Sequence, residues 1–340
     1  MTGYVYVKDL KGHRGSYQEL FSKIFGFRKL SGALISRDLI EMLTAPRAIF
    51  ATIGINNSAQ LLVIFLRAAI GRTSCAIWLG EPFEPNDKNS SIRKRDLWLF
   101  RILRRFKRVS LFSIYPFRTE DRRRRLVDDW IADPQLWDMA CLSIDRDSFE
   151  SSISKRIRSD FTGKPVIAFL GRGSDGKNYP SFVDFVIAKR TEIEAVSVGP
   201  IDEDCRPFAA KLRQAGGIVI DRFVDESELL SVYFAADYVW CVYSESYDRP
   251  SGIYGRAIAL GVLPVVRAGS YLDRFSSEFG FDVQRVSLEG PANLWHGHIK
   301  ATNAAHRADT RPKTLRQLEE LRSDAINKLS LAMAWKPEHT

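Results

Sequence analysis

The sequence predicts an α/β protein built as two doubly wound domains, and three observations carry that expectation. Short β-branched runs alternate with helix-length segments along both halves, the pattern of parallel sheets covered by helices. A chain of 340 residues is long enough for two domains, each with its own core. In the second half an apolar run stops at a glycine-rich turn and resumes as a helix, the strand-turn-helix order of a phosphate-binding half.

The elements of the first half follow in order. Tyr4 to Val7 reads as a strand, Lys8 to Gly15 as a polar loop, and Ser16 to Phe25 as a helix with Leu20, Phe21 and Ile24 on one side. Strands are expected at Ala48 to Thr52, Ser74 to Leu79 and Val109 to Ile114, with helices at Ala59 to Ala69 and Lys94 to Phe106 between them. A last strand at Met139 to Ile144 precedes the charged, Ser-rich stretch Arg146 to Thr162. That stretch places the boundary between a domain of residues 1–150 and one of residues 151–340.

The second half repeats the alternation. Val166 to Leu170 is an apolar strand, Gly171 to Lys177 a glycine turn, and Phe182 to Ala188 a helix. Further strands are expected near Glu194, Ile218, Tyr238 and Leu263, with helices over Leu229 to Tyr233 and from Ser251-Gly252 to Leu260. Leu315, Leu318, Ile326 and Leu329 recur at helical spacing in a terminal helix from about Pro312 to Met333. Two doubly wound, Rossmann-like domains would face each other across a cleft, with ligands outside the carboxyl ends of the strands.

Composition excludes several classes. Hydrophobic residues make up 45% of the chain, which fits a folded globular protein rather than a disordered one. The start of the chain lacks the basic and continuous apolar regions of a signal peptide, and Ala59 to Ile70 is too short to span a bilayer. A cytoplasmic protein is therefore expected. Cys75, Cys141, Cys205 and Cys241 are scattered without metal-ligand spacing, so a reduced, metal-free protein is expected.

The net charge of +9 is unevenly spread. Residues 1–150 carry 25 Lys plus Arg against 17 Asp plus Glu, and residues 91–125 alone carry 13 against 3. The segment Lys94 to Arg108 interleaves these cations with Trp98, Phe100 and Leu103. Such a helix suits an anionic membrane surface, or packs its apolar stripe on a sheet and leaves its cations in water.

Arg172 and Lys177 lie in a loop that precedes a helix, and Ser251-Gly252 opens a second helix. Fixed cations and helix-terminal amides stabilise a diphosphate on which negative charge develops. The competing reading is a surface turn with two solvated cations. His13 is the sole histidine of the first 150 residues, and its ordinary pKa would suit a general base; it would otherwise cap the following helix.

Val166 to Val266 resembles the C-terminal domain of glycosyltransferases of the GT-B architecture, in particular the retaining family-four group. The residues that carry the likeness are Gly171-Arg172 with Lys177 after the first strand, Ile218 to Val224, Ala235-Ala236-Asp237, and Ala257 to Val266 with its Gly261 and Pro264-Val265-Val266. The resemblance implies that Arg172 and Lys177 hold the donor diphosphate. It implies that Phe223 and Val224 hold a nucleobase, although a buried pair closing a strand would read alike. The family carries two Glu eight positions apart, and here Asp248 falls on the first and Arg256 on the second. Asp248 would then contact hydroxyls of the transferred sugar, or form an Asx turn before Pro250. Arg256 offers donors where the family accepts ribose hydroxyls, so it replaces a ribose contact, binds phosphate or forms an ion pair. Gly12, His13 and Gly15 sit in a loop after the first strand that approaches donor or acceptor in GT-B proteins.

These readings converge on a cytoplasmic glycosyltransferase at the inner face of the plasma membrane. Its donor would be a nucleoside-diphosphate sugar, with no further cofactor and no metal, and its acceptor a glycan or lipid-linked glycan. Two alternatives share the fold: an inactive, glycosyltransferase-like binding subunit, and a sugar-nucleotide epimerase. A nucleic-acid partner would explain the basic helix but not the paired turns of the second half.

Overall fold

The computed structural model describes residues 3–10, 13–32, 37–53, 58–79, 90–116, 126–138, 150–161, 163–288 and 304–334. The chain divides into two compact units, one of residues 1–138 with 320–340 and one of residues 139–319. Each unit is a parallel six-stranded sheet with helices, so the expectation of a doubly wound α/β protein holds. Among the described residues no helix is long and apolar enough to cross a membrane.

The first unit runs β1 (Gly3–Val7), α1 (His13–Phe25), β2 (Arg28–Ser31), α2 (Arg37–Thr44), β3 (Arg47–Ile53), α3 (Ser58–Ala69), β4 (Thr73–Trp78), α4 (Ser90–Leu103), β5 (Val109–Ser113), β6 (Asp129–Trp130) and α5 (Pro134–Trp137). Its strand order is β2-β1-β3-β4-β5-β6, every pair parallel. The central strands are buried on both faces, which is why they read as unbroken apolar runs rather than as alternation. The edge strand β2 has the sequence RKLS and is mostly exposed, so it carries no apolar signal and was not foreseen. Nor were α2, β6 and α5. Helix α1 begins at His13 rather than Ser16, and the expected strand at Met139 to Ile144 lies outside the described residues.

Helix α3 turns its charged residue inward. Arg67 is fully buried and donates to Ser74 Oγ at 2.9 Å, to the Thr73 carbonyl at 2.8 Å, and to the Met42 carbonyl. Carbonyl and hydroxyl oxygens thus satisfy the guanidinium, while burial pulls its pKa down to about 10. It ties α3 to the end of α2 and the start of β4.

The second unit runs α6 (Ser152–Asp160), β7 (Val166–Leu170), α7 (Tyr179–Ala188), β8 (Glu194–Val198), α8 (Arg206–Gln214), β9 (Ile218–Ile220), α9 (Glu226–Ala235), β10 (Tyr238–Cys241), α10 (Gly252–Leu260), β11 (Leu263–Arg267), α11 (Tyr271–Phe279) and β12 (Gln284–Val286). The strand order is β12-β11-β10-β7-β8-β9. Trp240 packs between Phe182 and Phe185, joining the centre of the sheet to α7. The Ser-rich stretch at which the domain boundary was expected contains α6, begun by a capping box of Ser151 and Ser154 and held inward by Ile153 and Ile157. A final helix, α12 (Ala304–Ala332), starts in this unit and ends in the first. There Arg47 Nε donates to the Met333 carbonyl, just past the helix, at 3.0 Å, and Lys328 pairs with Asp129 at 3.3 Å.

Sequential winding from β7 to β9 goes one way across the sheet, and from β10 to β12 the other. The reversal falls between β7 and β10, and at such a point the loops leaving the two strands diverge and open a crevice at their carboxyl ends.

Candidate anion site at the β7/β10 crevice

The loop leaving β7 begins at Gly171, with φ of 88° in the left-handed region that favours glycine. Gly171 donates to the Val198 carbonyl at 2.9 Å, and Gly173 to the Pro200 carbonyl at 2.9 Å, so the turn runs on beside the end of β8. Gly199, with φ of 136°, comes so close that a Cβ there would overlap the Gly171 carbonyl. The chain then turns over Ser174 to Asn178 and enters α7, with Asn178 left-handed at φ of 58°. Lys177 therefore sits one residue ahead of the cap of α7, where Tyr179 N–H is already donated to the Ser174 carbonyl at 3.1 Å and Pro180 has no N–H to offer.

The Lys177 ammonium folds back over Gly171, 2.6 Å from the place a Cβ would occupy. Among the described residues it has no hydrogen-bond or ion-pair partner. Burial holds its pKa below the ordinary lysine value, and Arg249 and Arg172 push it further down. Arg172 is exposed and reaches Asp202 at 2.8 Å. Three cations thus converge on one turn, and among the described residues Lys177 has no counter-ion.

The loop leaving β10 closes the other side. Ser244 donates to the Gly176 carbonyl through its backbone N–H at 3.1 Å and through Oγ at 3.0 Å, which joins the two turns directly. Tyr247 lies against Gly176, and Arg249 stacks over the Tyr247 ring at 3.5 Å. Ser251 caps α10 by accepting from Tyr254 N–H, and its hydroxyl meets that of buried Tyr243 at 2.7 Å. Gly252 is the first residue of α10. The amino end of α10 and the cations Arg172, Lys177 and Arg249 are assembled at one crevice, an arrangement suited to phosphate.

The remaining sequence candidates of the second unit fall into three groups. Asp248 is engaged: both of its oxygens accept from Tyr271 N–H, at 2.8 and 3.0 Å, at the start of α11. Arg267 and Arg274 lie 3.4 and 3.7 Å from the same carboxylate, and Arg267 Nε also donates to the Tyr243 carbonyl at 3.1 Å. Arg256 reaches Glu226, the first residue of α9, at 2.8 Å; its side chain is only 11% exposed and its Nε is buried without an acceptor. The ion-pair alternative weighed for this residue is the one observed. Phe223 is 78% exposed on the loop after β9, which removes the reading of a buried pair, while Val224 is partly buried. Arg222 braces that loop by forking onto Glu228 at 2.6 and 2.9 Å and donating to the Phe223 carbonyl.

In the first unit Gly12 and the His13 side chain lie outside what is described. His13 opens α1, and Gly15 lies within it, 3.4 Å from the Leu10 carbonyl measured from the place of a Cβ. Sequence reasoning missed Glu226, Arg249, Arg267 and Tyr247. Arg249 and Tyr247 flank Asp248 in the chain and were within reach of the motif; Glu226 and Arg267 reach their partners only through the fold. Among the described residues no group of three or more His, Cys, Asp or Glu could hold a metal ion.

The unpartnered ammonium gives a stability prediction with a definite sign. A buried Lys with a lowered pKa binds its proton less tightly folded than unfolded, so its charge costs stability at neutral pH. That cost is relieved as pH rises from the folded pKa towards the unfolded value. Lys177→Met is therefore expected to unfold at higher urea than the wild type at pH 7, with the gap shrinking as pH approaches 10.5. Parallel urea titrations across that range check it; a gap that is constant or widens would remove the buried charge from the account.

No family model and no curated protein sequence matches the chain. Solved structures do. Sucrose-phosphate synthase from Thermosynechococcus elongatus is 13% identical with a TM-score of 0.55, covering 98% of this chain and 96% of its own. A glycosyltransferase from Rickettsia africae is 12% identical with a TM-score of 0.58, at 98% and 96% coverage. HepE from Anabaena, solved in complex with UDP and glucose, is 11% identical with a TM-score of 0.58, at 98% coverage of both chains. At these identities the likeness establishes the GT-B fold.

Proposed function

We propose that the chain is a glycosyltransferase that moves a sugar from a nucleoside-diphosphate sugar to a glycan or lipid-linked acceptor, in polysaccharide or glycolipid synthesis of bacterial type. The observation that carries this reading is the Lys177 ammonium, half-buried over Gly171 and, among the described residues, without a counter-ion. A protein keeps such a group where a ligand supplies the missing charge. The fold adds support, since HepE was solved with UDP and a trehalose-6-phosphate protein of Escherichia coli was bound with UDP-2-fluoro glucose.

In this reading the second unit, residues 139–319, binds the donor, and the first unit, residues 1–138 with 320–340, the acceptor. As the bond from anomeric carbon to diphosphate oxygen breaks, charge builds on the diphosphate, and Arg172, Lys177 and the first amides of α10 stabilise it in place of a metal. Phe223 offers a ring to a nucleobase, with Val224 behind it. Asp248, held by Tyr271 N–H, fixes the Tyr243–Ser251 turn and keeps further lone pairs for sugar hydroxyls. If transfer inverts the anomeric centre, His13 is the base that takes the acceptor proton; if it retains, the departing diphosphate takes it. The enzyme would work in the cytoplasm, at the inner face of the membrane.

Calorimetric titration with UDP, GDP, ADP and dTDP sugars tests the reading, followed by diphosphate-nucleotide release with and without EDTA. Micromolar binding of one donor and EDTA-resistant turnover are expected. Absence of binding by every donor would leave the inactive, scaffold-type subunit standing instead.

A further inference from the structure

The outer face of α3 runs against the ordinary logic of a surface helix. Its exposed residues are Ala59, Leu62, Leu66 and Ala69, with Ile70 just past its end, while Gln60 and Arg67 are buried. Leu62, Leu66 and Ile70 are 52%, 43% and 57% exposed, and they recur every four residues along one side. No polar side chain interrupts them. A helix that is apolar on both faces has something covering both.

Helix α4 packs beside α3 on the same face of the first sheet. Leu61 and Ile64 of α3 share a core with Phe100 and Leu103 of α4, and Phe65 meets Phe106 edge to face at 5.6 Å. From this neighbour Trp98 stands 59% exposed, Arg101 follows it at helical spacing, and Arg105 lies in the turn just past the helix, both exposed. Lys107 and Arg108 continue the exposed cations past the end of the helix. Ile40 of α2, which packs on the other side of α3, is 64% exposed. The layer α2-α3-α4 therefore presents an apolar band with cations along one border.

The charge selects the occupant. The exposed cations Arg101, Arg105, Lys107 and Arg108 stand along this border, so a second copy docking on this band would bring two like-charged borders together. A nucleic acid would neutralise the cations but leave the leucines in water. An anionic bilayer meets both halves of the pattern. Leucines enter the boundary between headgroups and acyl chains, an exposed Trp suits the interface, and the Arg and Lys side chains meet lipid phosphates.

We infer that the outer face of α3, with Trp98 and the cations of α4, is a docking surface for an anionic phospholipid bilayer. It deepens the membrane element of the proposed function and rests on that reading for the nature of the partner. The sequence points to α4 alone as the membrane helix; the structure makes α3 the apolar part and α4 the electrostatic border.

Co-sedimentation with vesicles tests it, using phosphatidylcholine alone and an equal mixture of phosphatidylcholine with phosphatidylglycerol. The full chain is expected to bind the mixed vesicles and not the neutral ones. Leu62→Gln with Leu66→Gln, and separately Arg101→Glu with Arg105→Glu, should each weaken binding at least about tenfold. Brominated lipid should quench a fluorescence component that Trp98→Phe lacks. Both double variants change exposed side chains, so thermal unfolding should match the wild type, and UDP binding measured on the same samples should be unchanged. Donor binding without vesicle binding would overturn the inference and leave the glycosyltransferase reading intact. Wild-type vesicle binding by the leucine variant would overturn it too, as would a concentration-dependent dimer that this variant dissolves.

Discussion

Alanine at both Arg172 and Lys177 is expected to weaken binding of the nucleotide sugar by roughly a hundredfold to ten-thousandfold. Each charge-assisted hydrogen bond contributes about 1.5 to 3 kcal/mol, and the two cations stand at one turn. The single variants should differ in kind. Arg172 is exposed and already shares its charge with Asp202 at 2.8 Å, so its new bond to a phosphate replaces an existing partner. Among the described residues Lys177 has no partner to give up. Its charge is paid for in the empty protein, and the full electrostatic gain appears on binding. Lys177→Ala should therefore cost more affinity than Arg172→Ala, while leaving the fold as stable or more stable. Titration of both single variants and the double variant with the preferred donor decides the order. Equal loss from each, or loss accompanied by unfolding, would sink the distinction.

The same contrast separates what the sequence could and could not disclose. Gly171 to Lys177 was legible because a buried parallel strand is an unbroken apolar run and the turn after it needs glycine. The run after Ser251 was legible for the same reason, with its cap residue written just ahead of the helix. Edge strands such as β2 and β12 bury few side chains and so leave no pattern to read. Helix α6 was hidden because Ser-rich composition suggests a linker, although a Ser three residues from a Ser, with Ile at four-residue spacing, is also a capped amphipathic helix. Arg67 shows the limit of periodicity from the other side: a charge on the helix axis reads as the solvent side, yet four backbone and hydroxyl oxygens within reach make it core. Asp248 and Arg256 could be found by spacing, but their partners lie 23 and 30 residues away. Only the fold identifies those.

The Arg256 pair yields the second large effect. Where similar enzymes are expected to present a carboxylate, this chain has a guanidinium, but it reaches Glu226 on the adjacent helix at 2.8 Å. A carboxylate thus stands beside this guanidinium, carried by α9. Glu226 is 57% exposed while Arg256 is 11% exposed, so the acceptor oxygens are the part of the pair that a ligand can meet. Ribose hydroxyls need acceptors, and Glu226 has spare lone pairs after one bond to Arg256. Glu226→Ala should accordingly weaken donor binding about ten- to a hundredfold, the range of one charge-assisted hydrogen bond or slightly more. A 2′-deoxyribose donor should lose the same factor against the wild type and little against the variant. Arg256→Glu alone should be worse, since it sets two carboxylates side by side and removes the cation. The charge swap Glu226→Arg with Arg256→Glu restores the pair in the opposite sense, and affinity should return to within a few-fold of the wild type. A swap that binds no better than Arg256→Glu would mean that the pair serves the packing of α9 on α10 and not the donor.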